Sequence, residues 1–103
     1  MTDGDKRRAK RVSYPCEVEC TGAGENPLNP RISDLSSSGA FIDSMMPVPV
    51  GTRFAVRFAL PSGPIQLMAE VAHSMERFGM GVRFLDLTSE QRARLEEAVK
   101  SRD

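Results

Sequence analysis

The sequence predicts a mainly β fold: six antiparallel strands closed into a small barrel, one C-terminal α-helix, and a flexible basic N-terminal arm. Three observations predict it. Apolar and polar residues alternate with period 2 in short runs, separated by turns bearing Gly and Pro, as half-buried strands require. The alternation stops at Thr88, where good helix formers take over. The first eleven residues follow neither period and hold the densest positive charge in the chain. We therefore divide the chain into an arm, residues 1–11, and a barrel with its helix, residues 12–103. At 103 residues it holds one domain and can bury about two thirds of its unfolded surface without metal or disulfide support.

The elements follow in order. In residues 12–20, Val12, Tyr14, Cys16, Val18 and Cys20 share one face, and Ser13, Pro15, Glu17 and Glu19 the other. Pro15 has no N–H for a ladder, which predicts that this strand starts at a sheet edge. Residues 21–30 are rich in Gly, Pro and Asn and read as a loop. Residues 31–35 and 40–43 flank Ser36-Ser37-Ser38-Gly39 as the arms of a hairpin. Pro47 and Pro49 make residues 45–51 a loop. Residues 52–60 alternate most cleanly: Phe54, Val56, Phe58 and Leu60 oppose Arg53, Ala55, Arg57 and Ala59. A Pro-Ser-Gly-Pro turn at 61–64 leads into residues 65–73, with Ile65, Leu67, Ala69, Val71 and His73 on one face. A turn near Glu76 and Arg77 precedes residues 79–84. There Met80, Val82 and Phe84 face inward, and Gly79 and Gly81 leave room for a close neighbour. Thr88 and Gln91 fit a capping box that starts a helix running to about Ser101. Its narrow apolar stripe of Leu95, Ala98 and Val99 predicts a helix lying across one open end of the sheet.

Charge and composition exclude several classes of function. Fourteen basic residues balance fourteen acidic ones, so no global field draws the chain to nucleic acid or membrane. No run approaches the ~18 apolar residues of a membrane span. The polar start, with no apolar core after its basic residues, is unlike a secretory signal, and the expected location is the cytoplasm. Cys16 and Cys20 would lie roughly 13 Å apart on one strand face, too far to bridge. With one histidine and no paired cysteine motif, no metal site is expected. His73 continues an apolar alternation and reads as a core or rim residue. The serines of the 36–38 run sit in no nucleophile elbow, and no base or orienting group accompanies them. Gly22 and Gly24 lack the strand–turn–helix context of a phosphate loop. We therefore expect a protein that binds and does not catalyse.

Two features carry binding chemistry. Lys6, Arg7, Arg8, Lys10 and Arg11 place five positive charges in six positions. Arginine presents a planar fork that meets phosphate oxygens and the guanine O6/N7 edge bidentately, and it stacks on flat rings. Arg7 and Arg11 are about 13 Å apart if extended and converge in a turn. The bland reading of such a run is a solvated terminus. The second feature is the segment from Asp34 to Gly39. Asp34 can accept paired N–H bonds from a guanine edge, Ser36 can donate or accept, and Gly39 lets backbone approach a ligand. Its bland reading is an ordinary hairpin turn.

Together, Arg7-x-x-x-Arg11, a strand, and Asp34-x-Ser36-x-x-Gly39 resemble the signature of PilZ domains, bacterial receptors for cyclic di-GMP. The resemblance runs from about Lys6 to about Ser101, through the segments 69–73 and 79–87 to the helix. His73 departs from it, standing where the family often has an aromatic residue. The resemblance implies a six-stranded antiparallel barrel. It implies that Arg7 and Arg11 clamp phosphates and guanines, and that Asp34 and Ser36 hold a guanine with Gly39 giving clearance. Arg8, Lys6 and Lys10 would add attraction. The arm would fold over the ligand. The extra positive charge favours an intercalated pair of cyclic di-GMP molecules over a single one. No other cofactor is implied.

A chain of this length is expected to signal by presenting a changed surface to a separate downstream protein. The Met-rich segment 45–50 is a candidate contact, or simply a cap on the barrel. Two other functions compete. A PilZ-like interaction module would bind no nucleotide. A barrel for single-stranded nucleic acid would need surface aromatics, yet Phe54, Phe58 and Phe84 fall on core faces.

Overall fold

The computed structural model describes residues 10–22, 27 and 29–102. Lys6, Arg7 and Arg8, with most of the expected arm, lie outside the described residues. The strands are β1 (Val12–Thr21), β2 (Arg31–Leu35), β3 (Gly39–Asp43), β4 (Arg53–Leu60), β5 (Gly63–Met75) and β6 (Gly79–Leu85), followed by helix α1 (Ser89–Ser101). Around the closed barrel the order is β1-β2-β3-β6-β5-β4, and every pairing is antiparallel. This is the fold class that the alternations predict.

The inward faces are those of the period-2 runs. Phe54, Val56, Val71, Met80, Ile32, Leu35 and Ile42 are the large side chains wholly removed from water, together with Leu95 of the helix. Each such burial contributes about 1.5–3 kcal/mol before entropy is charged against it. Tyr14 is also buried, and its hydroxyl donates to the Ala59 carbonyl at 2.9 Å. A buried phenol requires such a partner, and burial raises its pKa above the usual value.

Helix α1 starts as its sequence dictates. Thr88 Oγ1 accepts from the Gln91 N–H, and Gln91 Oε1 accepts from the Thr88 N–H, both at 3.0 Å. Leu95, Ala98 and Val99 are its buried residues. Arg94 ties the helix to the β4–β5 turn through Ser62 Oγ at 2.9 Å and the Gly63 carbonyl at 2.8 Å. At the other end, the Arg102 guanidinium lies 4.8 Å from the centre of the Tyr14 ring. The helix therefore spans the barrel end where β1 begins and where β4 turns into β5.

The strand bearing Pro15 was expected to start at a sheet edge, and although the barrel closes, the start of β1 has only β2 beside it, because its pairing with β4 begins at Val18. Pro15 sits there in a bulge between Ser13 and Cys16. The bulge absorbs the missing N–H. One expectation is corrected: His73 does not continue the inward face of β5. A register shift between Val71 and His73 inserts an extra residue, and His73 is exposed. Its ring lies over Gly81, where a Cβ would meet the imidazole Cδ2 at 3.2 Å. The bare glycine on β6 is the room that its spacing predicts.

Candidate functional site

The second motif forms the β2–β3 turn, and its serine holds that turn together. Ser36 is 3% exposed. Its N–H donates to the Gly39 carbonyl at 2.8 Å. Its hydroxyl accepts the N–H of Gly39 at 3.0 Å and of Ser38 at 3.2 Å, and lies 3.2 Å from the Gly39 carbonyl. A buried hydroxyl so committed shapes the turn from inside. Gly39 is buried against β6. A Cβ there would run into the Val82 carbonyl, with Arg83 Cα at 3.3 Å. The close neighbour that requires glycine at this position is the barrel's own backbone.

Asp34 faces outward because β2 is irregular. Ile32 and Leu35 are both buried although three residues apart, which strict alternation forbids. The register shifts between Ile32 and Asp34 in the pairing with β3. That bulge leaves Ser33 and Asp34 half-buried on the outer face. Bulges re-aim side chains in this way. Among the described residues, no hydrogen bond or ion pair engages the Asp34 carboxylate. Its cross-strand partners are Ser13 of β1 and Phe41 of β3.

The first motif leads into the same place. Val12 pairs with Leu35, so Arg11 and Ser36 are the next residues outward on the two strands. Arg11 is exposed. Lys10 lines a depression of about 230 Å³ with Ser37, Glu96, Val99 and Lys100. The end of the arm, the serine turn and the last turns of α1 thus meet at one corner of the barrel. Of the eight residues predicted for the site, Lys10, Arg11, Asp34, Ser36 and Gly39 are brought together here. Lys6, Arg7 and Arg8 lie outside the described residues. Phe41 escaped the reading of the sequence. Its signal was present: a large aromatic on the outward face of 40–43, facing the glycines of the next strand. Its ring lies beside Gly79.

A charged ladder continues the outer face from Gly39. Gly39 pairs with Arg83, and Arg83 with Glu70. Arg83 Nε donates to Glu70 Oε1 at 3.0 Å, and Arg53 Nε lies 3.6 Å from Oε2. The hydrogen bond from Arg83 holds the Glu70 carboxyl below its usual pKa. A carboxylate with a depressed folded-state pKa stabilises the fold above its unfolded value. That contribution is lost as pH falls through the folded value. Glu70→Gln is therefore expected to flatten the acid limb of stability below about pH 4.5, measured by urea unfolding at stepped pH. An unchanged acid limb would refute the linkage.

Other candidates carry less. Cys16 and Cys20 are free thiols. Burial pushes Cys20 up to about 11 and raises Cys16 as well, so neither is a thiolate nucleophile near neutrality. A concavity of about 730 Å³ lies along the outside of β1 and β4, and Arg11 and the Asp34–Gly39 segment do not line it. Phe54, Phe58 and Phe84 are buried, which removes them as a stacking platform for single strands. No helix of the described residues is long and apolar enough to cross a membrane.

Comparison with known proteins agrees with this architecture. The family model for the PilZ domain matches residues 5–101. No curated protein matches. Among solved structures, the PilZ domain with c-di-GMP of YcgR from Escherichia coli is similar in fold. The TM-score is 0.77 at 21% identity, over 94% of this chain and 91% of that chain. The family match spans both motifs, all six strands and the helix, and the chain belongs to the PilZ domain family.

Proposed function

We propose that this chain is a cyclic di-GMP receptor that alters its surface on binding and signals to a separate downstream protein. The observation that carries the reading is the meeting of its two motifs. In this PilZ chain, the β1–β2 register brings Arg11 level with Ser36, two residues along from an Asp34 carboxylate with no partner among the described residues. An arginine and a carboxylate that, among the described residues, engage no ion pair suit a ligand that offers phosphate oxygens and a guanine edge of paired N–H donors. The solved YcgR domain, similar in fold, is a complex with c-di-GMP.

In this reading Arg7 and Arg11 grip phosphate and guanine, and Arg8, Lys6 and Lys10 add attraction. Asp34 accepts from a guanine edge. Ser36 and Gly39 act as positioning residues: they fix the turn that aims Asp34. Phe41 adds an apolar surface beside it. Closing the arm over the ligand costs about 2–5 kcal/mol of ordering, which predicts moderate affinity. The surplus of positive charge favours an intercalated pair. The site binds and has no part in chemistry.

Titration calorimetry with cyclic di-GMP tests this. Micromolar or tighter binding is expected, at two ligands per chain, and lost in the Arg7→Ala/Arg11→Ala variant. Absence of heat and of any melting shift at high ligand would overturn the reading and favour a PilZ-shaped interaction module.

A further inference from the structure

The barrel end opposite α1 carries an apolar surface that the ligand reading does not use. Met45, Met46, Val50, Met75 and Phe78 are 60%, 63%, 61%, 48% and 69% exposed. They are five of the six exposed large hydrophobics among the described residues, and the sixth, Met68, lies on the barrel wall. Hydrogen bonds hold their backbones together. The Ser44 N–H donates to the Phe78 carbonyl at 3.0 Å, joining the β3–β4 loop to the β5–β6 turn. The Phe78 N–H donates to the Met75 carbonyl at 2.9 Å, and the Gly51 N–H to the Val71 carbonyl at 2.8 Å. Val48 of the same loop is buried and plugs the barrel. One half of the loop therefore closes the core while its methionines and Val50 stand in water. Single exposed apolar residues are ordinary; five at one end mark an interaction surface.

The charges at this end select the occupant. Asp43 and Glu76 are exposed acids, and Arg31 and Arg77 exposed bases. Among the described residues none of the four has an ion pair. Among the described residues the exposed charges here carry both signs, which favours neither an anionic bilayer nor an acidic or basic partner. It can complement itself, because a twofold axis brings the acids of one copy to the bases of the other. The chain's net charge of zero removes the repulsion that would oppose such pairing. Methionines adapt to whatever packs on them.

We propose that this end of the barrel is a self-association surface, whose partner is a second copy of the chain related by a twofold axis. The five apolar side chains form its centre and Asp43, Glu76, Arg31 and Arg77 its rim. The patch is on the order of 500 Å², below the ~800 Å² per partner of a standard stable interface, so the dimer is expected to exchange with monomer. Both copies keep the serine turn between β2 and β3 at the far ends.

Sedimentation equilibrium on the full chain tests this without nucleotide. From about 10 µM to about 1 mM the weight-average mass is expected to rise from one chain toward two. Phe78→Asp and Met46→Asp are each expected to hold it at one chain at every concentration. Both positions are exposed, and circular dichroism checks that each variant stays folded. A wild type that remains a single chain throughout would overturn the proposal and leave the patch to a different partner. Association undiminished in both variants would overturn it too, by placing the contact elsewhere.

Discussion

Gly39→Ala should unfold the protein at a markedly lower urea concentration than wild type, with a loss of about 3 kcal/mol. The added methyl meets the Val82 carbonyl and Arg83 Cα, and both belong to backbone. Neither can rotate away, as a flexible side-chain tip could. Overpacked cores lose about 1–3 kcal/mol when side chains relax, and more when backbone must shift. Here the strand that must shift is β6, which pairs with β3 from Gly39 to Asp43. The same shift moves the serine turn, so ligand affinity should fall with stability. Urea unfolding and calorimetry read the two effects. A Gly39→Ala variant as stable as wild type that only fails to bind would refute the packing account and return this glycine to ligand clearance.

Asp34→Ala and Ser36→Ala should separate two kinds of site residue. Asp34 is half-buried with no partner among the described residues, so removing it should leave the melting temperature unchanged or slightly raised. A charged hydrogen bond is worth about 1.5–3 kcal/mol, so affinity for cyclic di-GMP should fall on the order of 10- to 100-fold. Ser36→Ala removes the acceptor for the Ser38 and Gly39 N–H groups. Leaving buried donors unpaired costs about 1–3 kcal/mol. That variant should therefore lose stability and affinity together. Equal stability losses in both variants would contradict the division of roles.

What the sequence disclosed and what it hid have physical causes. The runs at 52–60 and 79–84 show both faces at once, because one faces a core and the other water. The helix start at Thr88 is local chemistry, complete within four residues. His73 was misplaced because a bulge is a property of pairing: nothing within β5 marks Ala72 as the extra residue. The bulge in β2 was legible in principle, since Ile32 and Leu35 cannot both face inward in an unbroken strand. The motif residues Arg11, Asp34 and Gly39 could be picked out from their spacing. The packing that demands Gly39 could not, because its close neighbour belongs to another strand. Gly39 answers to Val82, which stands far from it in the chain.

The seam between β1 and β4 bears on how the chain folds. Four ladders, β1–β2, β2–β3, β4–β5 and β5–β6, join strands adjacent in sequence. The ring closes only when β3 meets β6 and β1 meets β4, the second over the shorter register from Val18–Phe58 to Thr21–Ala55. That contact must bear the closure entropy of everything between. Barrels dominated by such non-local pairing fold in about milliseconds to seconds. The seam is then the last ladder to form and the first to open, and amide exchange should be fastest there and slowest along β5 and β6. Because β1 stays paired to β2 through Val12–Leu35, a chain open at its seam still carries both signature motifs side by side.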